Sequence, residues 1–470
     1  MSEPLTIHPY ILLPPGEPAR GVAAELYAEV AGAPIVSPHG HVEAALLARD
    51  TPFGDPAALL VTPDHYVTRL LHAHGVALEE LRPPAEPRAI WRHLCEHWSL
   101  LSGTVVRLWL ELTLHDVLDA RVAPSAATAD LLFDELSQRL ALEETRPRAL
   151  YERFAIELLA TTDDPADDLR HHRALVADPG WKGRIVPTFR PDAYLDLSRS
   201  DWSEQIERLA AAADMAIDTY DDFVAALERR RSFFVEHGAT SSDHAVQRLE
   251  TERLEDRVAR RIFATALRGD GDPQEAAAFG AHMLDEMARM SCEDGLVMQL
   301  HPGVQRDHHR PTLVAHGPNA GADIPLRAQF TSALRPLLER YGTHPRFRIV
   351  LFTVDETTFS RELAPLAGFY PSVYLGAPWW FLDSPAGMLR FRRAVTDTVG
   401  FHRTAGFVDD ARALCSIPAR HEVARRVDCA FLAELVCEHR LSLTQAAAIA
   451  RDLAHDLPRR VFRLGGSEAA

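Results

Sequence analysis

The sequence contains little cysteine, no long apolar run and no excess of basic residues. Its five cysteines are scattered over 470 residues without a C-x-x-C pair, so neither a disulfide framework nor a cysteine zinc site is expected. The most apolar stretch, residues 105–114, is interrupted by Arg107 and Glu111, and no membrane-spanning helix is predicted. The N-terminus lacks the basic start and apolar core of a signal peptide. We therefore predict a cytoplasmic protein that does not contact a membrane.

The balance of charge excludes further classes of partner. The formal net charge is -17 at pH 7, which disfavours nucleic acid and anionic membrane surfaces, because both require clustered lysine and arginine. With 47% hydrophobic and 25% charged residues, the composition is that of a globular protein. A small anionic substrate is compatible with this charge if a few arginines converge locally. Assembly into a homo-oligomer is left open.

Two histidines follow the first apolar run, residues 33–36. His39 and His41 are two positions apart, so their side chains point to the same side if the run is a strand. Two imidazoles directed at one point suit a divalent metal, for which neutral histidine is the commonest ligand. A chain of this composition contains about one His-x-His pair by chance, so the pair alone is weak evidence. Its significance depends on further ligands at equivalent places in the fold.

Short apolar runs that end in polar clusters recur along the chain and alternate with long amphipathic stretches. Alternation of strand and helix predicts a parallel sheet, and eight such units predict a closed (β/α)8 barrel of the TIM type within the α/β class. In such a barrel the active site lies at the C-terminal ends of the strands, where the polar clusters fall. The eight runs are residues 33–36, 156–160, 185–189, 238–240, 296–300, 347–352, 372–375 and 406–408.

The segment after the first run has helical apolar spacing and is divided by prolines, which predicts an all-helical insertion too long to be a simple connection. The expected organisation assigns residues 1–44 to an N-terminal segment and the first strand, and residues 45–150 to the insertion. Residues 151–415 form the rest of the barrel, and residues 416–470 form C-terminal helices on its exterior and a tail. Residues 201–236 and 246–267 are each expected to form one helix.

Four side chains at the predicted strand ends are expected to converge on one metal ion. They are His39 and His41 from the first strand, His301 from the fifth and Asp410 from the eighth. This set of nitrogen and oxygen ligands suits zinc, manganese or another borderline divalent ion better than calcium. Zinc is the ion that we expect first.

Further residues at the strand ends are suited to an anionic polyol. Arg190 and Arg306 can each bind a carboxylate through charge-assisted hydrogen bonds. Asp243 and the indole N–H of Trp379 or Trp380 can hold hydroxyl groups, and alternation along a strand predicts that the two indole rings point to opposite sides. Arg412 follows Asp410 by two positions and can polarise a carbonyl group.

Seven short motifs follow one another in a distinctive order. They are His39-Gly-His41, Thr161-Thr-Asp-Asp-Pro165, Arg190-Pro-Asp192, Ser242-Asp-His244, Gln299-Leu-His301-x-Gly303-x-x-Arg306, Trp379-Trp380-Phe381 and Asp410-x-Arg412. In this order they resemble the uronate isomerase (glucuronate isomerase) family, the divergent isomerase branch of the amidohydrolase superfamily. The resemblance extends from about residue 7 to about residue 460. Asp64-His65-Tyr66, inside the insertion, also resembles the family segment that brings a tyrosine over the active site.

The resemblance implies an aldose–ketose isomerisation that interconverts D-glucuronate with D-fructuronate and D-galacturonate with D-tagaturonate. A base removes the C2 proton, a cis-enediol forms, and the proton returns to C1. By this resemblance Asp410 is the base, Tyr66 and Arg412 stabilise charge on the carbonyl oxygen, and His301 belongs to the catalytic set. The metal would hold the carboxylate end of the hexuronate instead of activating water.

The chain also departs from the family pattern. Ser37-Pro38 stands where the family usually has an acidic or aromatic pair, and Asp307-His308-His309 stands where it usually has a run of asparagine. Because the metal and proton-transfer residues are retained, the reaction type is a firmer expectation than the preferred uronate.

Two other functions compete with the isomerase. A metal-dependent hydrolase of the same superfamily would use the metal to activate water, and it often carries a bridging lysine on a middle strand. The polar clusters at residues 161–165, 190–192 and 241–244 contain no lysine, although His244 keeps this alternative open. A non-catalytic sugar-acid binding protein would keep the fold without the reaction. Loss of activity is normally accompanied by loss of the metal-binding residues.

Overall fold

The computed structural model describes residues 3–465 and contains ten β-strands, most of them short and buried. The predicted α/β class is confirmed. The predicted tail, residues 465–470, lies almost entirely outside the described residues. The strands are β1 (Ile35–Ser37), β2 (Ile156–Ala160), β3 (Ile185–Val186), β4 (Thr188–Phe189), β5 (Ser241–Val246), β6 (Val297–Pro302), β7 (Val304–Gln305), β8 (Ile324–Pro325), β9 (Ile349–Leu351) and β10 (Val373–Leu375).

The described residues form 21 α-helices before, between and after these strands. Before β2 they are α1 (Ala19–Val30), α2 (Ala44–Arg49), α3 (Pro56–Leu60), α4 (His65–Ala73), α5 (Pro87–Glu96), α6 (Val105–Leu112), α7 (Ala129–Leu140) and α8 (Pro147–Arg153). Between β2 and β6 they are α9 (Arg170–Ala177), α10 (Asp192–Leu195), α11 (Trp202–Ala213), α12 (Tyr220–Glu236), α13 (Asp256–Leu267) and α14 (Pro273–Asp294). After β6 they are α15 (Arg310–His316), α16 (Phe330–Tyr341), α17 (Ala364–Phe369), α18 (Pro385–Val399), α19 (Ile417–Cys437), α20 (Leu443–Arg451) and α21 (Leu457–Val461). None of the helices in the described residues is both long and apolar enough to cross a membrane.

Eight of the strands form two parallel sheets. One has three strands in the order β1-β2-β3, and the other has five in the order β10-β9-β6-β5-β4, so both sheets follow the chain from strand to strand. A parallel bridge between Asp163 and Phe189 lies between the two sheets. At the other end, Thr404 forms a parallel bridge with Leu375, and the His41 amide donates to the Ala411 carbonyl oxygen at 2.8 Å. The carboxyl ends of the strands therefore face one common region.

Seven of the eight predicted runs contain or adjoin a strand of these sheets, and two of the predictions need correction. The fourth run was predicted at residues 238–240, but β5 begins at Ser241 and includes the polar residues that were expected to follow it. The eighth run, residues 406–408, is not a strand. Gly406 has φ +73° and Asp410 has φ +45°, and both conformations interrupt an extended chain.

Two helix predictions also need correction. Residues 201–236 form two helices, α11 and α12, because Asp214 adopts a left-handed conformation with φ +50° after α11. The second helix is stabilised at its start by a capping box between Thr219 and Asp222. Residues 246–267 begin as the end of β5, and only Asp256–Leu267 is helical.

The apolar core is divided among three groups of elements. The first group packs β1 and β2 against the helices between them, through buried side chains such as Val36, Leu47 and Trp91. The second packs β4, β6, β9 and β10 against α11 to α14 and α16 to α18. The third joins α1 with α19 and α20. The strand ends are thus held from several sides, which fixes the polar side chains that they carry.

Candidate active site

One enclosed cavity of about 40 Å³ lies at the carboxyl ends of the strands, and all eleven predicted site residues line it. A second, more open cavity of about 910 Å³ shares four of these residues, which makes it the access side of the enclosed cavity. The eleven residues are His39, His41, Tyr66, Arg190, Asp243, His301, Arg306, Trp379, Trp380, Asp410 and Arg412.

Three of the four predicted metal ligands form one compact group. A ligand atom from each of His39, His41 and Asp410 lies within 4.8 Å of the other two. Asp410 Oδ1 lies 3.0 Å from His41 Nε2 and 3.5 Å from His39 Nε2. The fourth residue, His301, belongs instead to a second group with His39 and Asp243. His39 is common to both, and its ring stacks on that of His301 with centroids 4.7 Å apart.

The donors of the first group fit a divalent cation. Asp410 Oδ1 is buried and has no hydrogen-bond partner among the described residues, although two imidazole nitrogens lie close to it. A buried carboxylate oxygen without a partner is costly unless a cation or a donor binds there. Two nitrogens and one oxygen also form the ligand set that zinc and similar ions prefer.

The charge of Asp410 follows from the same contacts. Burial favours the neutral acid, but the imidazoles of His39 and His41 outweigh burial and hold the pKa of Asp410 well below its ordinary value. The other oxygen, Oδ2, accepts a hydrogen bond of 2.6 Å from the Trp379 indole N–H. Asp410 is therefore an ionised carboxylate whose two oxygens face different partners.

His301 is oriented by a buried carboxylate. Its Nδ1 lies 2.7 Å from Asp243 Oδ1, and its Nε2 is buried without a partner among the described residues. An imidazole held in this way presents one free nitrogen in a fixed direction. Asp243 also contacts Arg190, whose Nη1 lies 3.1 Å from Oδ2. Although burial alone would raise it, the pKa of Asp243 lies well below its ordinary value because Arg190, His301 and His39 surround the carboxylate.

The two tryptophans both face the cavity, which differs from the prediction that they point to opposite sides. Trp380 has φ +53°, a left-handed conformation that breaks the alternation of a strand. Trp379 donates to Asp410, and its ring meets His301 edge-on with centroids 4.8 Å apart. The ring of Trp380 lies under the Arg306 guanidinium at 4.4 Å, while its indole N–H has no partner among the described residues.

Tyr66 enters the cavity from the start of α4. Asp64 caps this helix by accepting a 2.8 Å hydrogen bond from the Tyr66 amide, as the Asp-His-Tyr motif favours. The Tyr66 hydroxyl donates to Asp383 Oδ2 at 3.3 Å. Burial raises the pKa of Tyr66 well above its ordinary value, and nearby Asp383 adds to the shift. The phenol therefore keeps its proton and acts as a hydrogen-bond donor.

Residues that the sequence reasoning missed support Tyr66 and Asp410. Arg420 donates to Asp383 Oδ2 at 3.1 Å and to the backbone oxygen of Asp409 at 3.2 Å. His421 Nε2 lies 3.0 Å from Asp409 Oδ2, while Asp409 Oδ1 accepts from the Ala411 amide. These contacts hold the residues on both sides of Asp410, whose left-handed backbone requires such support.

Two of the missed residues, Arg420 and His421, come from α19, a helix expected to lie only on the exterior. The sequence offered no clear signal for them, because α19 carries several other charged residues, such as Arg425 and Asp428. Charged side chains are rarely buried unless they are paired, and the tertiary fold decides which of them pair in the site. Asp383 carried no signal either, because a lone aspartate after a tryptophan pair is typical of an ordinary helix cap.

The arginines of the cavity differ in how far they are already neutralised. Arg190 forms ion pairs with Asp243 and, at 2.9 Å, with Asp192. Arg420 forms an ion pair with Asp383. Arg306 has one long contact of 4.0 Å with Asp323. Arg412 has no ion pair within the described residues. The last two guanidinium groups are therefore the ones free to meet an anion.

His244, which the sequence left unassigned, does not line the cavity. It follows Asp243 in β5 and points to the opposite face of the strand, where burial lowers its pKa to about 3. His244 is therefore a neutral, buried histidine outside the candidate metal groups of the described residues.

Comparison with known proteins shows the family of this chain. The family model described as glucuronate isomerase matches residues 19–462. A uronate isomerase of Rhizorhabdus wittichii is 50% identical over 467 residues, which is 98% of this chain and 100% of that protein. The crystal structure of glucuronate isomerase from Caulobacter crescentus has a TM-score of 0.97 and 45% identity, covering 99% of this chain and 98% of that one. A uronate isomerase structure from Thermotoga maritima has a TM-score of 0.92 and 29% identity, covering 97% and 99%.

Parallel strands that end in histidines, carboxylates and arginines around one cavity define an α/β enzyme for a small polar substrate. The match along the chain and the similarity of the folds then identify the family of this enzyme. The chain belongs to the glucuronate isomerase family.

Proposed function

We propose that this chain is a uronate isomerase that interconverts D-glucuronate with D-fructuronate and D-galacturonate with D-tagaturonate. The observation that carries the proposal is the convergence of all eleven predicted residues on one cavity in a chain of this family. The reaction moves one proton from C2 to C1 and leaves the substrate atoms otherwise unchanged. It requires a base, donors for the carbonyl oxygen and a binding site for the carboxylate.

His39, His41 and Asp410 would hold a divalent metal, for which zinc or manganese is our proposal. When bound, the ion supplies positive charge that fixes an oxygen-bearing end of the substrate. The unpartnered Oδ1 of Asp410 beside two imidazole nitrogens supports this assignment. His301 completes the set of histidines, and its free Nε2 is directed by Asp243.

Asp410 is the proposed base. Its carboxylate is ionised, as a base must be, so it can accept the C2 proton and return it to C1. Because the Trp379 indole N–H binds Oδ2, the carboxylate is oriented with Oδ1 toward the imidazole nitrogens of His39 and His41. A fixed base lowers the reorganisation that accompanies proton transfer.

Tyr66 and Arg412 are proposed to stabilise negative charge on the carbonyl oxygen. The Tyr66 hydroxyl stays protonated, which suits a donor, and Asp383 sets its direction. Arg412 lines the cavity and has no ion pair within the described residues, so its guanidinium is available to the substrate.

The carboxylate of the hexuronate would be bound by Arg190 and Arg306. Arg306 stacks on Trp380, which fixes the plane of its guanidinium and leaves its N–H groups for a carboxylate. Arg190 is held by Asp192 and Asp243, so its direction toward the cavity is set before substrate binds. Asp243 and the tryptophans would contact the substrate hydroxyls.

Several broader features belong to the same proposal. The two parallel sheets would be parts of one (β/α)8 barrel of the amidohydrolase superfamily, which the bridges at Asp163 and Thr404 support. Residues 45–150 would be its helical insertion, and residues 416–470 its C-terminal part. A cytoplasmic location and a homo-oligomeric state stay predictions from the sequence.

The hydrolase alternative lacks a specific observation in its favour. The sequence has one lysine, Lys182, which does not line the cavity, so no bridging lysine is available there. Four arginines around the cavity are also unnecessary for a neutral amide.

The test is ketose formation from D-glucuronate and D-galacturonate by purified protein, followed by proton NMR in heavy water. We expect ketose to appear with exchange at the transferred position, as an enediol mechanism requires. A matched sample with Asp410→Asn controls for contaminating isomerase. Absence of ketose from both uronates in protein that contains stoichiometric metal would contradict the proposal, and acidic amides and lactones would then be tested.

A further inference from the structure

A second group of metal-ligating side chains lies on α5, outside the cavity described above. Ligand atoms of His93, Glu96 and His97 all lie within 4.8 Å of one another. The three residues occupy positions i, i+3 and i+4 of one helix and its C-cap, so they share one face. The opposite face is buried through Trp91 and Cys95. The group therefore combines two imidazoles and one carboxylate on the accessible side of the helix.

The donors of this group are not engaged elsewhere in the described residues. Neither the His93 ring nor the Glu96 carboxylate has a hydrogen bond or an ion pair there. Arg92, the nearest cation on the helix, is already bound to Asp130 through two hydrogen bonds of 3.0 Å. The Glu96 carboxylate is therefore not paired with this cation.

His97 is fixed in the orientation of a ligand. Its Nδ1 lies 2.8 Å from the backbone oxygen of His93, which sets the tautomer and leaves Nε2 with a free lone pair. Metal-binding histidines usually donate their other nitrogen to a carbonyl or carboxylate in this way. The group also stands at the C-terminal end of α5, where the helix dipole favours a cation.

We propose that His93, Glu96 and His97 bind one divalent transition-metal ion, with water completing its coordination. Two nitrogens and a single carboxylate select copper, nickel and zinc over calcium and magnesium, which require more oxygen ligands. Among first-row ions we expect copper to bind this group more tightly than nickel, cobalt and manganese. Cys95 takes no part, because its side chain is buried in the opposite face.

The test measures metal stoichiometry on the intact chain whose cavity site has first been loaded with manganese. Zinc is then added and followed by equilibrium dialysis with metal analysis of zinc and manganese. We expect wild-type protein to take up one equivalent of zinc more than the variant His93→Asn/His97→Asn while both retain the same manganese. Zinc uptake by both proteins is compared at equal manganese content, so that exchange at the cavity site does not enter the difference.

A matched control is His308→Asn/His309→Asn, which removes two histidines that precede α15 instead of sharing a helix face. This control should keep the additional equivalent of zinc. A single His97→Asn variant, with the thermal midpoint measured, guards against loss of fold in the double variant. Equal zinc uptake by wild type and both α5 variants would overturn the proposal, and isomerase activity does not enter the result.

Discussion

The hydrogen bond from Trp379 to Asp410 offers a sharp test of the proposed site. Trp379→Phe removes the indole N–H while keeping an aromatic ring against His301. Asp410 Oδ2 then loses a 2.6 Å charge-assisted bond inside a buried site. We expect the variant to fold and to lose both turnover and metal affinity.

The magnitude follows from the type of bond. A hydrogen bond to a charged group contributes about 1.5 to 3 kcal/mol. Each 1.36 kcal/mol of activation free energy changes the rate tenfold, so turnover should fall roughly ten- to a hundredfold. A loss of metal affinity of about ten- to a hundredfold is also typical when a residue that orients a metal ligand is replaced.

The assay combines steady-state kinetics on D-glucuronate with competition for metal against a chelator. The control is Trp380→Phe, which makes the same change in size next to Trp379 but removes an N–H that has no partner among the described residues. This control keeps a ring beneath Arg306 and should leave metal affinity unchanged, with any loss of a substrate contact appearing in KM. Equal effects of the two substitutions, or an unchanged metal affinity in Trp379→Phe, would refute the role given to this bond.

Three further predictions concern the carboxylates. Asp410→Asn should fold and lose at least about a hundredfold in turnover, as removal of a general base does, and near-normal turnover would remove Asp410 from the mechanism. His421→Asn should weaken metal binding through Asp409, as measured by chelator competition, and His421→Gln should retain part of the wild-type affinity. Unchanged affinity in both variants would contradict this role of His421. Burial raises the pKa of Asp163 to about 7, so its contribution to stability is present at low pH and is lost as pH rises from about 4 through 7. Between pH 5 and pH 8 the wild-type thermal midpoint should therefore fall about 3 °C more than that of Asp163→Asn, and parallel curves would contradict this shift.

The strand-end residues were accessible to sequence reasoning because their positions follow simple rules. His39, His301 and Asp410 each stand at or just beyond the carboxyl end of an apolar run. Parallel strands bring such ends to one side of a sheet, whatever the lengths of the helices between them. The prediction therefore needed the order of the strands but not their exact limits. The predicted limits of β5 were wrong by several residues, but Asp243 still lies in the site.

The supporting residues were not accessible in the same way. Asp383 and Arg420 meet Tyr66 across hundreds of residues of chain, and no local period connects them. Strand β5 is also composed largely of polar residues, so its hydrophobic pattern does not mark its start. The left-handed conformation of Trp380 is decided by packing, since a bulky residue adopts it only when its surroundings impose it.

An acidic chain can bind an anionic sugar because the local charge of the cavity differs from the net charge. Two of the four arginines there, Arg190 and Arg420, are balanced by aspartates that hold them in place. The remaining two, Arg306 and Arg412, keep most of their charge for the substrate. Inside the cavity these charges lie next to the substrate, whereas salt screens the more distant acidic groups on the surface. The preference for a uronate over a neutral sugar should therefore depend little on ionic strength. Arg306→Ala should remove much of this preference.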